Sequence, residues 1–194
     1  MPQAALTVPE EVAALTVAAL ALYPQNPAET KKMLDFLRGP RPLNGIDKQF
    51  LRDRFRGKDY LMRSYFPGSC PENNYTPAQP YRVAVSENAY SRAQFADGYL
   101  TLYVACNGAD SPRPLKLRHK PLTGQWFLWE QQLLTGISIP QNADPGITPL
   151  VVNFYKELPL TVQHSAPKAY ALGALCFVRQ TLPLLCCISG GAST

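Results

Sequence analysis

Histidine is nearly missing from this chain. Only His119 and His164 occur among 194 residues, and charged side chains make up just 17%. No GxSxG elbow, HExxH pair, Walker A loop or GxGxxG turn occurs, so the common hydrolase, zincin, P-loop and dinucleotide-binding classes lack sequence support. The five cysteines (Cys70, Cys106, Cys176, Cys186 and Cys187) form no CxxC pair and have no histidine at ligand spacing. That opposes a zinc site and fits a reducing, cytoplasmic setting. No metal and no cofactor is expected. A basic leader is missing too: the Ala-rich N-terminus carries Glu10 and Glu11 where a signal peptide needs apolar residues. Long unbroken apolar runs are also lacking. Residues 169–189 are apolar, but Arg179, Gln180 and Pro183 interrupt them, whereas a spanning helix wants about 20 predominantly apolar residues. Cys186-Cys187 beside that run would suit acylation, the competing membrane reading. No membrane attachment is expected.

The net charge of +5 is mild. Residues 1–144 hold 16 basic and 13 acidic side chains, and residues 145–194 hold 3 and 1. The densest basic stretch is Lys48, Arg52, Arg54, Arg56, Lys58 and Arg63, broken by Asp47, Asp53 and Asp59. It reads as a solvated helix face, and no nucleic-acid partner is expected.

What is abundant is proline, with 19 residues, which implies many fixed turns. Three helices are expected first. Thr7 with Glu10 three residues on suggests a capping box, followed by Val12, Leu15, Ala19 and Leu22 at helical spacing, with Pro24 as the stop. Asn26 caps the second helix and Pro27 takes its first position. Met33, Leu34, Phe36 and Leu37 form its buried side, and Gly39-Pro40 close it. The third runs from about Asn44 to Phe55, with Ile46, Phe50, Leu51 and Phe55 as its stripe. Strands follow: residues 60–66, Tyr81–Val85, Tyr99–Cys106, a strand in which Leu115 and Leu117 oppose Lys116, Arg118 and Lys120, and Gln125–Glu130 after a Thr123-Gly124 turn. Helices before strands, without βαβ alternation, predict an α+β domain over residues 1–144: three N-terminal helices followed by a curved antiparallel sheet of about five strands.

Three clusters are candidate sites. The first is the Pro-stiffened loop from Ser64 to Pro77, with Tyr65, Cys70, Glu72, Asn73, Asn74 and Tyr75. A pre-ordered loop loses little entropy on binding, and amides and phenols suit polar ligands. The competing reading is structural, since Asn-Asn tolerates left-handed turns. The second is Asn107 to Arg113, where Asp110 can fix a turn or pair with Arg113. The third is Trp126-Phe127-Leu128-Trp129, whose two tryptophans fall on opposite faces of a strand, so that one face can line a groove. His119, in step with Leu115 and Leu117, reads as a core or sheet-edge histidine.

Ser64-Tyr65-Phe66, Pro71-Glu72-Asn73-Asn74-Tyr75-Thr76-Pro77, Gly108-Ala109-Asp110-Ser111-Pro112-Arg113-Pro114 and Thr123-Gly124-Gln125-Trp126-Phe127-Leu128-Trp129-Glu130 resemble a domain-of-unknown-function family of Firmicutes, mostly Clostridia, over about residues 8–145. The resemblance implies a bacterial source and supplies no catalytic residues. Members of that family tend to end soon after Asp-Pro-Trp-Ala, whereas Asp144-Pro145 is followed here by Gly146-Ile147-Thr148. Codons for Trp-Ala-stop, such as TGG GCA TAA, read two bases late give Gly, Ile and the start of Thr. Residues 145–194 are therefore expected to lie outside the fold, with residues 146–194 an out-of-frame extension.

The functional expectation is a non-enzymatic binding or protein-interaction module. Its ligand, an unknown protein or a small polar molecule, would meet Tyr65, Glu72, Asn73, Asn74, Tyr75, Asp110, Arg113 and Trp129. The alternative is a small hydrolase- or transferase-type enzyme using Glu72, Asp110 or Cys70, with Arg113 holding an anion.

Overall fold

The computed structural model describes residues 4–141 and a strand at residues 161–165. Helix α1 spans Pro9–Ala21, α2 Pro27–Arg38 and α3 Gly45–Phe55. Strands β1 (Arg82–Ser86), β2 (Tyr99–Val104), β3 (Arg113–Lys120) and β4 (Gln125–Gln131) form an open antiparallel sheet in the order β4-β3-β2-β1. The fold is α+β, helices first and antiparallel sheet second. Strand β5 (Thr161–Ser165) lies parallel to β1, with Arg82 opposite Thr161 and Ser86 opposite Ser165. The remainder of the expected extension, residues 145–160 and 166–194, falls outside the described residues.

Local chemistry sets the helix ends. Asn26 accepts the Glu29 N–H at 3.0 Å, and Pro27 fills the first turn where its missing N–H costs nothing. Asn44 and Asp47 form a reciprocal capping box, each side chain taking the other's backbone N–H. Asp47 also pairs with Arg38 at 3.2 Å, and Asp35 accepts the Leu43 N–H at 2.7 Å, so the α2–α3 corner is tied twice. The Thr7–Glu10 box does not form. Val8 is the residue before α1 and offers no side-chain cap, because Pro9 takes the first helical position and moves the start past Thr7.

The expected strand over residues 60–66 is instead a 3-10 turn, Leu61–Tyr65. Leu61, Met62, Ser64, Tyr65 and Phe66 are all buried, which alternation cannot achieve. Ser64 Oγ donates to the Leu61 carbonyl at 2.6 Å and locks the turn. Of the stripes expected on α2 and α3, Met33, Leu34, Leu37, Leu51 and Phe55 are buried, but Phe36 is 44% exposed, Phe50 37% and Ile46 81%.

The core lies between α1 and the inner sheet face. Helix α1 buries Val12, Val17 and Leu20, and the sheet supplies Val83, Val85, Leu100, Leu102, Val104, Leu115, Leu117 and Leu128. Each such side chain contributes about 1.5–3 kcal/mol on burial. Helix α2 packs on β4, and its C-cap Gly39 lies against the Phe127 ring.

Candidate functional site

The Asn73 loop is built around one side chain. Pro71–Asn73 form a short 3-10 turn. Asn73 Oδ1 accepts the backbone N–H of Cys70 at 2.9 Å and of Thr76 at 3.1 Å, and its Nδ2 donates to the Gly68 carbonyl at 2.7 Å. An amide, with an acceptor and donors at its tip, is what such a knot requires. The next two residues take positive φ, 54° at Asn74 and 53° at Tyr75, a conformation asparagine tolerates far better than tyrosine.

That turn drives Tyr75 inward. The ring is 0% exposed, stacks on Tyr60 at 5.6 Å between centroids, and donates its hydroxyl to the Ser138 carbonyl at 2.8 Å. Gly108 sits against this ring, and a Cβ there would collide with Tyr75 and with Ile137. Burial pushes the Tyr75 phenol up to about 12. Tyr65, 2% exposed, donates to the Leu133 carbonyl at 2.6 Å, and burial raises its phenol still further. Asn107 Nδ2 donates to the Phe66 carbonyl at 3.0 Å. Arg113 donates to the Gly136 carbonyl, Ser138 N–H to the Gly108 carbonyl at 2.8 Å, and Gln141 N–H to the Pro71 carbonyl at 3.0 Å. The two polar loops therefore converge, and they grip residues 133–141 between them.

The remaining candidates sit at the margin of this clamp. Glu72 is exposed. Its own backbone N–H and the Cys70 thiol hold its carboxyl below the usual carboxylate range, while Gln141 Nε2 approaches at 3.5 Å. Cys70 and Cys106 are free thiols, and Cys106 lies 3.3 Å from Ser64 Oγ. Asn74 Oδ1 and Arg113 Nε are buried without a partner among the described residues. Asp110 is exposed, and no ion pair joins it to Arg113 among them. A cleft formed by Leu20, Leu34, Arg38, Asp47, Phe50 and Leu128 lies away from both loops. Among the described residues no cluster of histidine, cysteine or carboxylate side chains could hold a metal ion.

Trp129 belongs to a different surface. Trp126 faces the core, buried against His119 at 4.6 Å between centroids. Trp129 is the extra residue of a β-bulge: Lys116 opposes Glu130 and Leu117 opposes Leu128, which leaves it unpaired. It lies on the outer sheet face in edge contact with Tyr99 at 5.6 Å. Arg118 lies 5.3 Å from the Trp129 ring centre and 4.9 Å from that of Tyr99. Arg41, from the α2–α3 corner, covers Trp129 at 4.5 Å, and Lys116 covers Tyr99 at 4.7 Å. The Arg118 guanidinium also donates to the Tyr99 hydroxyl. The alternation of Lys116, Arg118 and Lys120 is visible in the sequence. Nothing in the sequence brings Arg41 to Trp129, because that contact depends on how α2 and α3 wrap the β4 edge.

A family model, Domain of unknown function (DUF6935), matches residues 1–141. The chain belongs to the DUF6935 family. The match ends at Gln141, whose backbone N–H is held by Pro71. No curated protein and no solved structure matches the chain. Among the described residues no helix is long and apolar enough to cross a membrane.

Proposed function

We propose that this DUF6935 domain is a non-enzymatic binding module of a bacterial, cytoplasmic protein, and that it binds through the outer face of its sheet. The likeness to proteins of Firmicutes supports the source, and the two free thiols in the domain support the compartment. The observation that carries the reading is the contrast between two surfaces. In the clamp, Tyr65, Asn73 and Tyr75 spend their hydrogen bonds on the protein's own backbone. On the outer face, Trp129 and Tyr99 stand half-buried among cations that form no ion pair among the described residues. The partner is a protein segment or a small polar ligand.

A thermal-shift screen with the full chain tests this, since a ligand that binds the native state raises the melting temperature. Stabilising ligands should lose their effect in Trp129→Ala and keep it in Glu72→Gln. A ligand effect abolished by Glu72→Gln or Asp110→Asn alone moves the site to the loops. Turnover of an ester, glycoside or phosphate substrate that those two variants abolish would replace the binding reading with an enzymatic one.

A further inference from the structure

The outer sheet face has a chemistry that narrows its partner. Lys116, Arg118 and Lys120 alternate along β3, and Arg41 joins them across Trp129. None of the four forms an ion pair among the described residues. The nearest acid by register is the exposed Glu130, opposite Lys116. The face is therefore cationic, and its charge is held by stacking on aromatic rings.

Stacking has two consequences. A guanidinium laid against a ring loses rotamer freedom in advance, so its N–H edge is pre-organised for a carboxylate. The same stacking occupies the ring faces. Arg41 and Arg118 both lie over Trp129, and Lys116 and Arg118 both lie over Tyr99. Single-stranded nucleic acid binds such platforms by stacking its bases on ring faces, and here bases would compete with these cations for the rings. Spacing points the same way. Alternate residues of β3 stand about 6.8 Å apart, as do alternate side chains of any extended peptide. The chain's own C-terminal residues do not fit, because residues 145–194 hold only one acidic side chain, Glu157.

Resting on the proposal that this face is the binding surface, we infer that it receives an extended acidic peptide segment of a partner protein, with carboxylates at alternate positions. Arg118 and Arg41 take carboxylates by their forks, and Lys116 and Lys120 add charge along the same line.

Fluorescence anisotropy with the full chain tests the inference. The probe is a labelled peptide with glutamate at alternate positions; its glutamine analogue and oligothymidine are the comparisons. The acidic peptide should bind and weaken with added salt. Arg118→Gln and Arg41→Gln should each weaken it roughly tenfold, the scale of a lost charge-assisted pair. Arg54→Gln, on the exposed side of α3, should leave it unchanged, and Arg118→Lys should restore only part. Equal loss in Arg54→Gln would reduce the effect to diffuse charge and overturn the inference. Oligothymidine binding as tightly, with the same dependence on Arg118, would replace the peptide with nucleic acid. No binding of the acidic peptide at millimolar concentration also overturns it. In that case a thermal shift from another ligand, lost in Trp129→Ala, keeps the face as a binding surface. If ligand effects ignore every variant of the face, the underlying proposal falls as well.

Discussion

Tyr75 is the most informative single residue to perturb. Its ring is fully buried, its hydroxyl holds the Ser138 carbonyl, and its backbone adopts a positive φ that tyrosine dislikes. Tyr75→Phe deletes one hydrogen bond and keeps the ring, so it should cost about 1 kcal/mol. Tyr75→Ala removes the ring as well and leaves a cavity beneath Gly108 and beside Tyr60. Buried aromatic-to-alanine changes cost about 3–5 kcal/mol. Against a domain stability of about 5–15 kcal/mol, that is a large share. Urea unfolding followed by far-UV circular dichroism measures both changes. Amide hydrogen exchange localises them: the Ser138 and Gln141 N–H groups, bonded to Gly108 and Pro71, should lose protection in Tyr75→Ala before the amides of β2 do. A cost below about 1 kcal/mol for Tyr75→Ala, with unchanged exchange at Ser138 and Gln141, would refute the clamp.

Three further outcomes are expected. Because burial raises the Tyr75 phenol to about 12, the native state keeps its proton where the unfolded chain has lost it. Its stabilising contribution is therefore complete below pH 10 and is lost as the pH rises from about 10 to 12. Tyr75→Phe should flatten that decline in urea midpoints, and an identical slope in the variant would contradict the assignment. Asn26→Ala should cost about 1 kcal/mol by freeing the Glu29 N–H, measured by the same unfolding, while Asn26→Gly should cost only a few tenths. A chain ending at Asp144 should unfold cooperatively near the midpoint of the full chain, and the gene should hold Trp-Ala-stop in a neighbouring frame at codons 146–148. A truncated chain that loses several kcal/mol would instead make the β5 pairing with β1 part of the fold and defeat the out-of-frame proposal.

The sequence by itself determined the helices-then-strands order and the caps of α2 and α3. Asn26-Pro27 and Asn44 act within one turn of themselves, so their caps could be read without the rest of the chain. Alternation in β2 and β3 likewise needs only a pleat and one wet face. Reading failed where burial on all sides erased the period. Leu61, Met62, Tyr65 and Phe66 are apolar because the 3-10 turn is enclosed by the core, not because they alternate. The Asn73 and Arg113 loops were legible as distinctive, but their grip on residues 133–141 depends on contacts across tens of residues, which local chemistry cannot announce. The outer face divides the same way. Its cations on β3 follow from strand alternation, while the placing of Arg41 over Trp129 follows only from the α2–α3 corner folding around the sheet edge. Local hydrogen bonds and side-chain period are properties of neighbours in the chain. A clamp or a stacked guanidinium joins distant segments, and only tertiary packing decides which of those meet.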